Sequence, residues 1–215
     1  MTHFYDKKYY SRKGIDDRFY IPLHAISVDL ERLRAEVNLI PTLNRPSCYG
    51  LTTSIKYIDE DPVNFSRYSS VSSLNSHGER ILSGGERDEE VVHWPALLRN
   101  SYIKELGDMF SELVQIKTPR VRMSVQSRAD YHNDPHTPYR IHIAIDSTPD
   151  SVWKFRETNG IEHVIYQPAD GIPVLIETGK TQHCVTRNSI NDVHKRVHLW
   201  YQFHDIISDE ILSKF

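Results

Sequence analysis

Three short stretches decide the reading: RVRMSVQS over Arg120–Ser127, YRIHIAI over Tyr139–Ile145 and VHLWYQF over Val197–Phe203. Each is bounded by turn-forming residues, and β-branched and aromatic side chains recur through them, as strands require. In YRIHIAI the isoleucines Ile141, Ile143 and Ile145 alternate with Arg140 and His142. A period of two puts the isoleucines on one face and the arginine and histidine on the other. His163–Gln167 and Val174–Glu177 (VLIE) are further candidates, with Pro, Gly, Asn and Asp in the gaps. Many short strands at near-regular spacing, without helices between them, predict an antiparallel sandwich or barrel. No internal repeat is present.

Upstream of Thr118-Pro119 the period changes. Pro95–Val114 is predicted as a helix, with Leu98, Tyr102, Ile103, Leu106, Met109, Phe110, Leu113 and Val114 at helical spacing and Pro95 suited to a first turn. This stripe is expected to pack against a flat surface. Asp29–Leu39 predicts a short helix through Leu30, Leu33 and Val37, Phe19–Leu23 an extended segment, and Leu51–Ile58 (LTTSIKYI) a strand. From Asp61 to Glu90 the composition shifts: seven serines between Ser66 and Ser83, then Gly84-Gly85 and the charged run Glu86–Glu90. So long a stretch without periodicity predicts either a surface excursion or a lid over a site later in the chain.

At 215 residues the chain is expected to form one domain over 1–215, with N-terminal α/β elements over 1–118 and a β core over 119–215. Its net charge of −3 offers no general field for nucleic acid or an anionic membrane, and no apolar run approaches a bilayer span. Two cysteines, Cys48 and Cys184, cannot make a disulfide scaffold, and the N-terminus lacks a signal-peptide pattern. A cytoplasmic protein is expected. Eight of the 12 histidines lie at or after position 132, which directs attention to the β half, since imidazole is the commonest metal ligand and proton carrier.

Three clusters there carry chemistry. In an extended His132-Asn133-Asp134, residues i and i+2 share a side and could share one metal ion, although Asn133-Asp134-Pro135 also reads as a plain turn. His183, in Gly179–Cys184, follows Asp134 by 49 residues, a separation that lets a β-sandwich return a distant strand beside the first. Two histidines and one carboxylate on one face make the triad that holds non-haem Fe(II) with positions open. Arg196 follows His183 by 13 residues, and a guanidinium can grip a carboxylate through two parallel hydrogen bonds. Cys184 is expected on the opposite, apolar face of its strand.

His132-x-Asp134, Arg140-Ile141-His142, His183 and Arg196-Val197-His198-Leu199, in that order and spacing, resemble the Fe(II)/2-oxoglutarate-dependent oxygenases. Within them the pattern is most similar to the aspartyl/asparaginyl β-hydroxylase group, which includes free-proline hydroxylases. The resemblance covers Arg120–Phe203. It implies a mainly β fold with flanking helices, the double-stranded β-helix (jelly roll, cupin-like), with the Pro95–Val114 helix outside one sheet. It implies Fe(II) held by His132, Asp134 and His183, and 2-oxoglutarate as co-substrate with Arg196 on its distal carboxylate. Arg140 and His142 are implied as further co-substrate contacts. The activity implied is dioxygen-dependent hydroxylation of a small-molecule or peptide substrate, an amino acid or peptidyl side chain, with specificity in the N-terminal half and the 61–90 loop.

Two other readings compete. A non-oxidative cupin-type protein, an isomerase, epimerase or binding module, would use the same ligands but has no need of a buried carboxylate clamp. The i, i+4 pairs His132/His136 and His194/His198 suit a zinc hydrolase only on a helix, and Lys195 stands where such a motif needs Glu.

Overall fold

The computed structural model describes residues 20–40, 47–51, 73–74, 80–81, 94, 96–116, 120–125, 129–134, 138–148, 151–157, 160–187, 196–203 and 205–215. Most of the Ser-rich segment 61–90, together with Pro95, His136, His194 and Lys195, lies outside them. In chain order the elements are β1 (Tyr20–Pro22), α1 (Leu30–Asn38), β2 (Ser47–Gly50), β3 (Ser73–Leu74), β4 (Arg80–Ile81), α2 (Tyr102–Val114), β5 (Arg120–Val125), β6 (Ala129–His132) and β7 (Tyr139–Asp146). They continue with β8 (Ser151–Arg156), β9 (Glu162–Ile165), β10 (Val174–Glu177), β11 (Gln182–Arg187), β12 (Val197–Phe203) and α3 (Asp209–Leu212).

Strands β1-β10-β7-β12-β5-β2 form a larger sheet and β6-β11-β8-β9 a smaller one, every pairing antiparallel. The two face each other as a double-stranded β-helix, the jelly-roll, cupin-like architecture expected. The alternation along each central strand divides the interior in two. Ile141, Ile143 and Ile145 of β7, Leu199, Tyr201 and Phe203 of β12, and Val121, Met123 and Val125 of β5 join the helices in one apolar core. The opposite face of the same strands points at the smaller sheet and is polar: Arg122, Ser124, Arg140, His142, His198 and Gln202 are all buried there. A second, smaller apolar cluster between the sheets (Trp153, Phe155, Ile165, Val174, Ile176 and Val185, with Tyr20) leaves the rest of that space to these groups.

Helix α2 braces the outside of the larger sheet, as predicted, but starts later. Ala96–Leu98 form a 3-10 turn, and Ser101, in extended conformation, caps α2 by accepting from Lys104 N at 3.1 Å. Glu36 of α1 accepts from Tyr102 N (2.6 Å) and Ile103 N (3.0 Å), so a distant carboxylate satisfies donors that the first turn leaves open. The buried face is Ile103, Leu106, Phe110 and Val114, whereas Met109, placed in the stripe by spacing, is exposed. Gly107 allows the close approach: a Cβ there would lie 3.1 Å from Trp94 Cζ2 and 3.3 Å from Tyr201 Cε1. Tyr201 in turn meets Phe110 edge-on at 5.0 Å and donates to Ile103 O at 2.8 Å. Removing Phe110 to alanine would cost about 3–5 kcal/mol by the usual large-to-small accounting.

Helix α1 forms where predicted, with Asp29 accepting from Arg32 N at 3.0 Å and Leu33 and Val37 buried. Of the strand predicted over Leu51–Ile58, only Leu51 is described, directly after the pairing segment Ser47–Gly50; 52–58 lie outside the described residues. Strand β8 of the smaller sheet was not predicted, and β6 and β11 were anticipated only as extended chain at His132 and at Cys184, without bounds. No helix among the described residues is long and apolar enough to cross a membrane.

Candidate metal centre and anion pocket

Strand β11 pairs with β6 so that His183 lies directly opposite His132. Local hydrogen bonds bring Asp134 to the same point. Asp134 N donates to Thr178 O at 2.8 Å, and Asn133 Nδ2 donates to Lys180 O at 2.8 Å, tying the His-x-Asp segment to the turn between β10 and β11. The Glu177 carboxylate closes that turn by accepting from Lys180 N (2.6 Å), Thr181 N (3.0 Å) and Thr181 Oγ1 (2.8 Å). The chain therefore enters β11 with His183 pointing inward.

One ligand atom from each of His132, Asp134 and His183 lies within 4.8 Å of the others. Both imidazole Nε2 atoms stand 3.3 Å from Asp134 Oδ2, with ring centroids 4.3 Å apart. Their Nδ1 atoms face backbone carbonyls two residues earlier: His132 Nδ1 to Asp130 O at 2.6 Å and His183 Nδ1 to Thr181 O at 3.3 Å. A carbonyl can only accept, so each Nδ1 carries a proton, and Nε2, the ring atom turned toward Asp134, is the one that would bind a metal ion. His183 Nε2 is buried with no aligned hydrogen bond, an orphan that a cation would satisfy. The donor set, two imidazoles and a carboxylate on one side, fits a divalent iron.

Arg140 Nη2 lies 2.5 Å from Asp134 Oδ2. Burial alone would raise the Asp134 pKa, but His132, His183 and Arg140 outweigh it and hold the carboxyl far below the usual range. Asp134 raises the His132 pKa, while burial lowers that of His183 despite the same carboxylate. Arg140, expected to contact the co-substrate, thus pairs here with the carboxylate of the triad. His142, also expected there, is 1% exposed, stacked on Trp200 at 5.2 Å and edge-on to Trp153 at 4.8 Å. Burial, then the charges of Arg140 and Arg196, hold its pKa well below the ordinary value, so it is neutral.

Arg196 is only 3% exposed. Its Nη1 donates to Ser124 Oγ at 3.2 Å, and Nη2 lies 3.3 Å from His198 Nδ1. Its guanidinium sits 5.7 Å from the Trp153 ring, which also lies 6.1 Å from the His183 ring. No carboxylate among the described residues pairs with it, and burial alone pushes its pKa down to about 9. At neutral pH this is a buried cation without a counter-ion among the described residues, and such groups are rare unless a ligand supplies one.

Ser124, Trp153 and Trp200 are site residues that the sequence reading did not single out. The signal for Ser124 was present, since RVRMSV alternates Arg, Arg, Ser against Val, Met, Val. Cys184 does point away from His183, but onto a polar surface rather than an apolar one: its neighbours are Tyr131, Lys154, Glu162 and Arg156.

No protein-family model and no curated protein matches the chain. Solved structures do match, at low identity. One is a prolyl-4-hydroxylase of Pseudomonas putida (14% identity, 48% of this chain and 61% of that one, TM-score 0.36). Another is the non-heme alpha ketoglutarate dependent epimerase SnoN from nogalamycin biosynthesis (13%, 46% and 52%, TM-score 0.35). A third, AviO1 of Streptomyces viridochromogenes, is covered at greater length (15%, 87% and 90%, TM-score 0.47). The alignment spans about three-fifths of the first chain and half of the second. These likenesses concern the fold alone.

Proposed function

We propose that this chain is an Fe(II)- and 2-oxoglutarate-dependent dioxygenase that hydroxylates an amino acid or peptidyl side chain. The observation that carries the reading is Arg196: a buried guanidinium with a serine hydroxyl beside it and no carboxylate among the described residues, in the same inter-sheet space as a two-histidine, one-carboxylate cluster. A protein that merely bound a metal through His132, Asp134 and His183 would gain nothing from holding that cation out of water.

The residues divide the work. His132 and His183 present Nε2 lone pairs in fixed tautomers, and Asp134 supplies the negative charge that offsets a divalent ion. Bound iron would supply the redox chemistry that joins decarboxylation of 2-oxoglutarate to C–H hydroxylation. Arg196 and Ser124 would receive the distal carboxylate of the co-substrate in a two-donor grip. The stacked His142 and Trp200, with Trp153 edge-on, form a wall that excludes water and fixes the co-substrate's orientation. Arg140 holds Asp134 in place when no ion does, and can turn a second nitrogen to the co-substrate.

The test is stoichiometric. Aerobic protein supplied with Fe(II) and 2-oxoglutarate should convert the latter to succinate above the rate of protein-free iron, and His183→Ala should return it to that rate. Wild-type protein that retains iron but makes no succinate under any substrate mixture would favour the non-oxidative cupin-type reading.

A further inference from the structure

Three buried arginines face the space between the sheets. Arg140 has Asp134, and Arg196 has Ser124 and His198. Arg122 has neither. It is 8% exposed on the inner face of β5, two residues before Ser124, and its buried Nε makes no hydrogen bond. No ion pair joins it to any of the described residues.

Among the described residues no carboxylate pairs with it. The cross-strand neighbour of Arg122 is Trp200, whose own indole Nε1 is buried without a partner, and Trp200 is registered in turn with His142. His142, Trp200 and Arg122 therefore form a row across three adjacent strands. At about 4.8 Å per strand, Arg122 stands on the order of 10 Å from the His142 position. The next row holds Arg140, and with it Asp134. Trp153 adds another unpartnered buried indole N–H from the facing sheet. The pocket is thus lined by donors well beyond what one dicarboxylate would use.

We propose that Arg122 binds a carboxylate of the substrate, which makes the substrate an acid, free or within a peptide. The planar fork of a guanidinium matches a carboxylate through two parallel hydrogen bonds, and a ligand that supplies one relieves the cost of the buried cation. This inference rests on the oxygenase reading, in which Arg196 takes the co-substrate and leaves Arg122 for the substrate.

Nitrogen-15 arginine-labelled protein loaded with Zn(II), a redox-silent substitute for iron, resolves the two guanidinium groups by their Nε–H signals, assigned with Arg122→Lys and Arg196→Lys. 2-Oxoglutarate is added first, then the free L-amino acids, the N-acetyl amides of aspartate and glutamate, and the carboxamide counterpart of each. The expected result is that 2-oxoglutarate moves the Arg196 signal. A carboxylate probe then moves the Arg122 signal saturably, and its carboxamide does not. Arg122→Gln should weaken that probe roughly tenfold or more, as loss of one partner of a buried charge pair does. Response to free amino acids alone assigns an α-carboxylate, and response to the acetyl amides alone assigns a side-chain carboxylate of a peptide. If 2-oxoglutarate moves Arg196 while no carboxylate probe moves Arg122, the assignment of Arg122 is overturned and the oxygenase reading stands. If 2-oxoglutarate moves Arg122 instead, or moves neither signal, both fall.

Discussion

Replacing Arg196 with methionine should move stability and co-substrate affinity in opposite directions. The guanidinium is 3% exposed, yet among the described residues only a serine hydroxyl at 3.2 Å and an imidazole nitrogen at 3.3 Å meet it, and neither carries a negative charge. Five N–H donors in that position are served by two neutral partners. Exchanging an uncompensated buried charge for an apolar side chain of similar volume typically stabilises by about 1–4 kcal/mol. For a chain of this size each kcal/mol raises Tm by roughly 2–4 °C. The same change removes the only charged partner proposed for the distal carboxylate of 2-oxoglutarate. Loss of one member of a buried charge pair costs about 2–5 kcal/mol, or roughly 30- to 4,000-fold in Kd. Urea unfolding of the metal-free proteins reads the first effect, and titration of the iron-loaded proteins with 2-oxoglutarate reads the second. An Arg196→Met protein that is less stable than wild type and binds 2-oxoglutarate normally would refute the reasoning, because Arg196 would then be a structural cation with its counter-ion inside the chain.

Three further outcomes are expected. Stability should fall as pH drops below about 6.5, because burial, with nearby arginine charge, keeps His142 and His198 neutral in the fold while the unfolded chain takes up their protons. These two alone give a slope approaching about 2.7 kcal/mol per pH unit below that point. His183 adds to the loss, and His132, whose pKa Asp134 raises, opposes it. Denaturation series at pH 7 and 5.5 check this, and equal stabilities would contradict it. Asp134→Ala should abolish metal retention in equilibrium dialysis and also destabilise the metal-free protein by about 1–3 kcal/mol, since Arg140 loses its carboxylate. Ser101→Ala should cost about 0.5–2 kcal/mol in urea unfolding through loss of the α2 cap, without changing metal affinity.

The parts of the fold set by local periodicity were legible in the sequence. The alternation of Ile141, Ile143 and Ile145 with Arg140 and His142 gives the two faces of β7, and the same reasoning holds for β12. Helix α2 was legible in its packing face but not in its start. Its first N–H groups are satisfied by Glu36, 66 residues away from Tyr102, and no local pattern announces that contact. Strands β6 and β11 were not bounded because ADYH and QHCVTR carry mostly polar side chains, one face lining the candidate metal site and the other a charged outer surface. The triad residues His132, Asp134 and His183 were legible as a motif, and their convergence depends on the His132–His183 register and on the Glu177 turn. That Arg122 is buried with no carboxylate partner among the described residues could not be read from sequence, because an arginine within a strand looks the same whether its partner is water, protein or ligand.

The central claim is tested most directly by anaerobic titration of the metal-free protein with Fe(II) and then 2-oxoglutarate, following the weak visible metal-to-ligand charge-transfer band. The account predicts a saturable band in the wild-type protein and none in His183→Ala. A folded, iron-loaded wild-type protein that shows no band on addition of 2-oxoglutarate would contradict it.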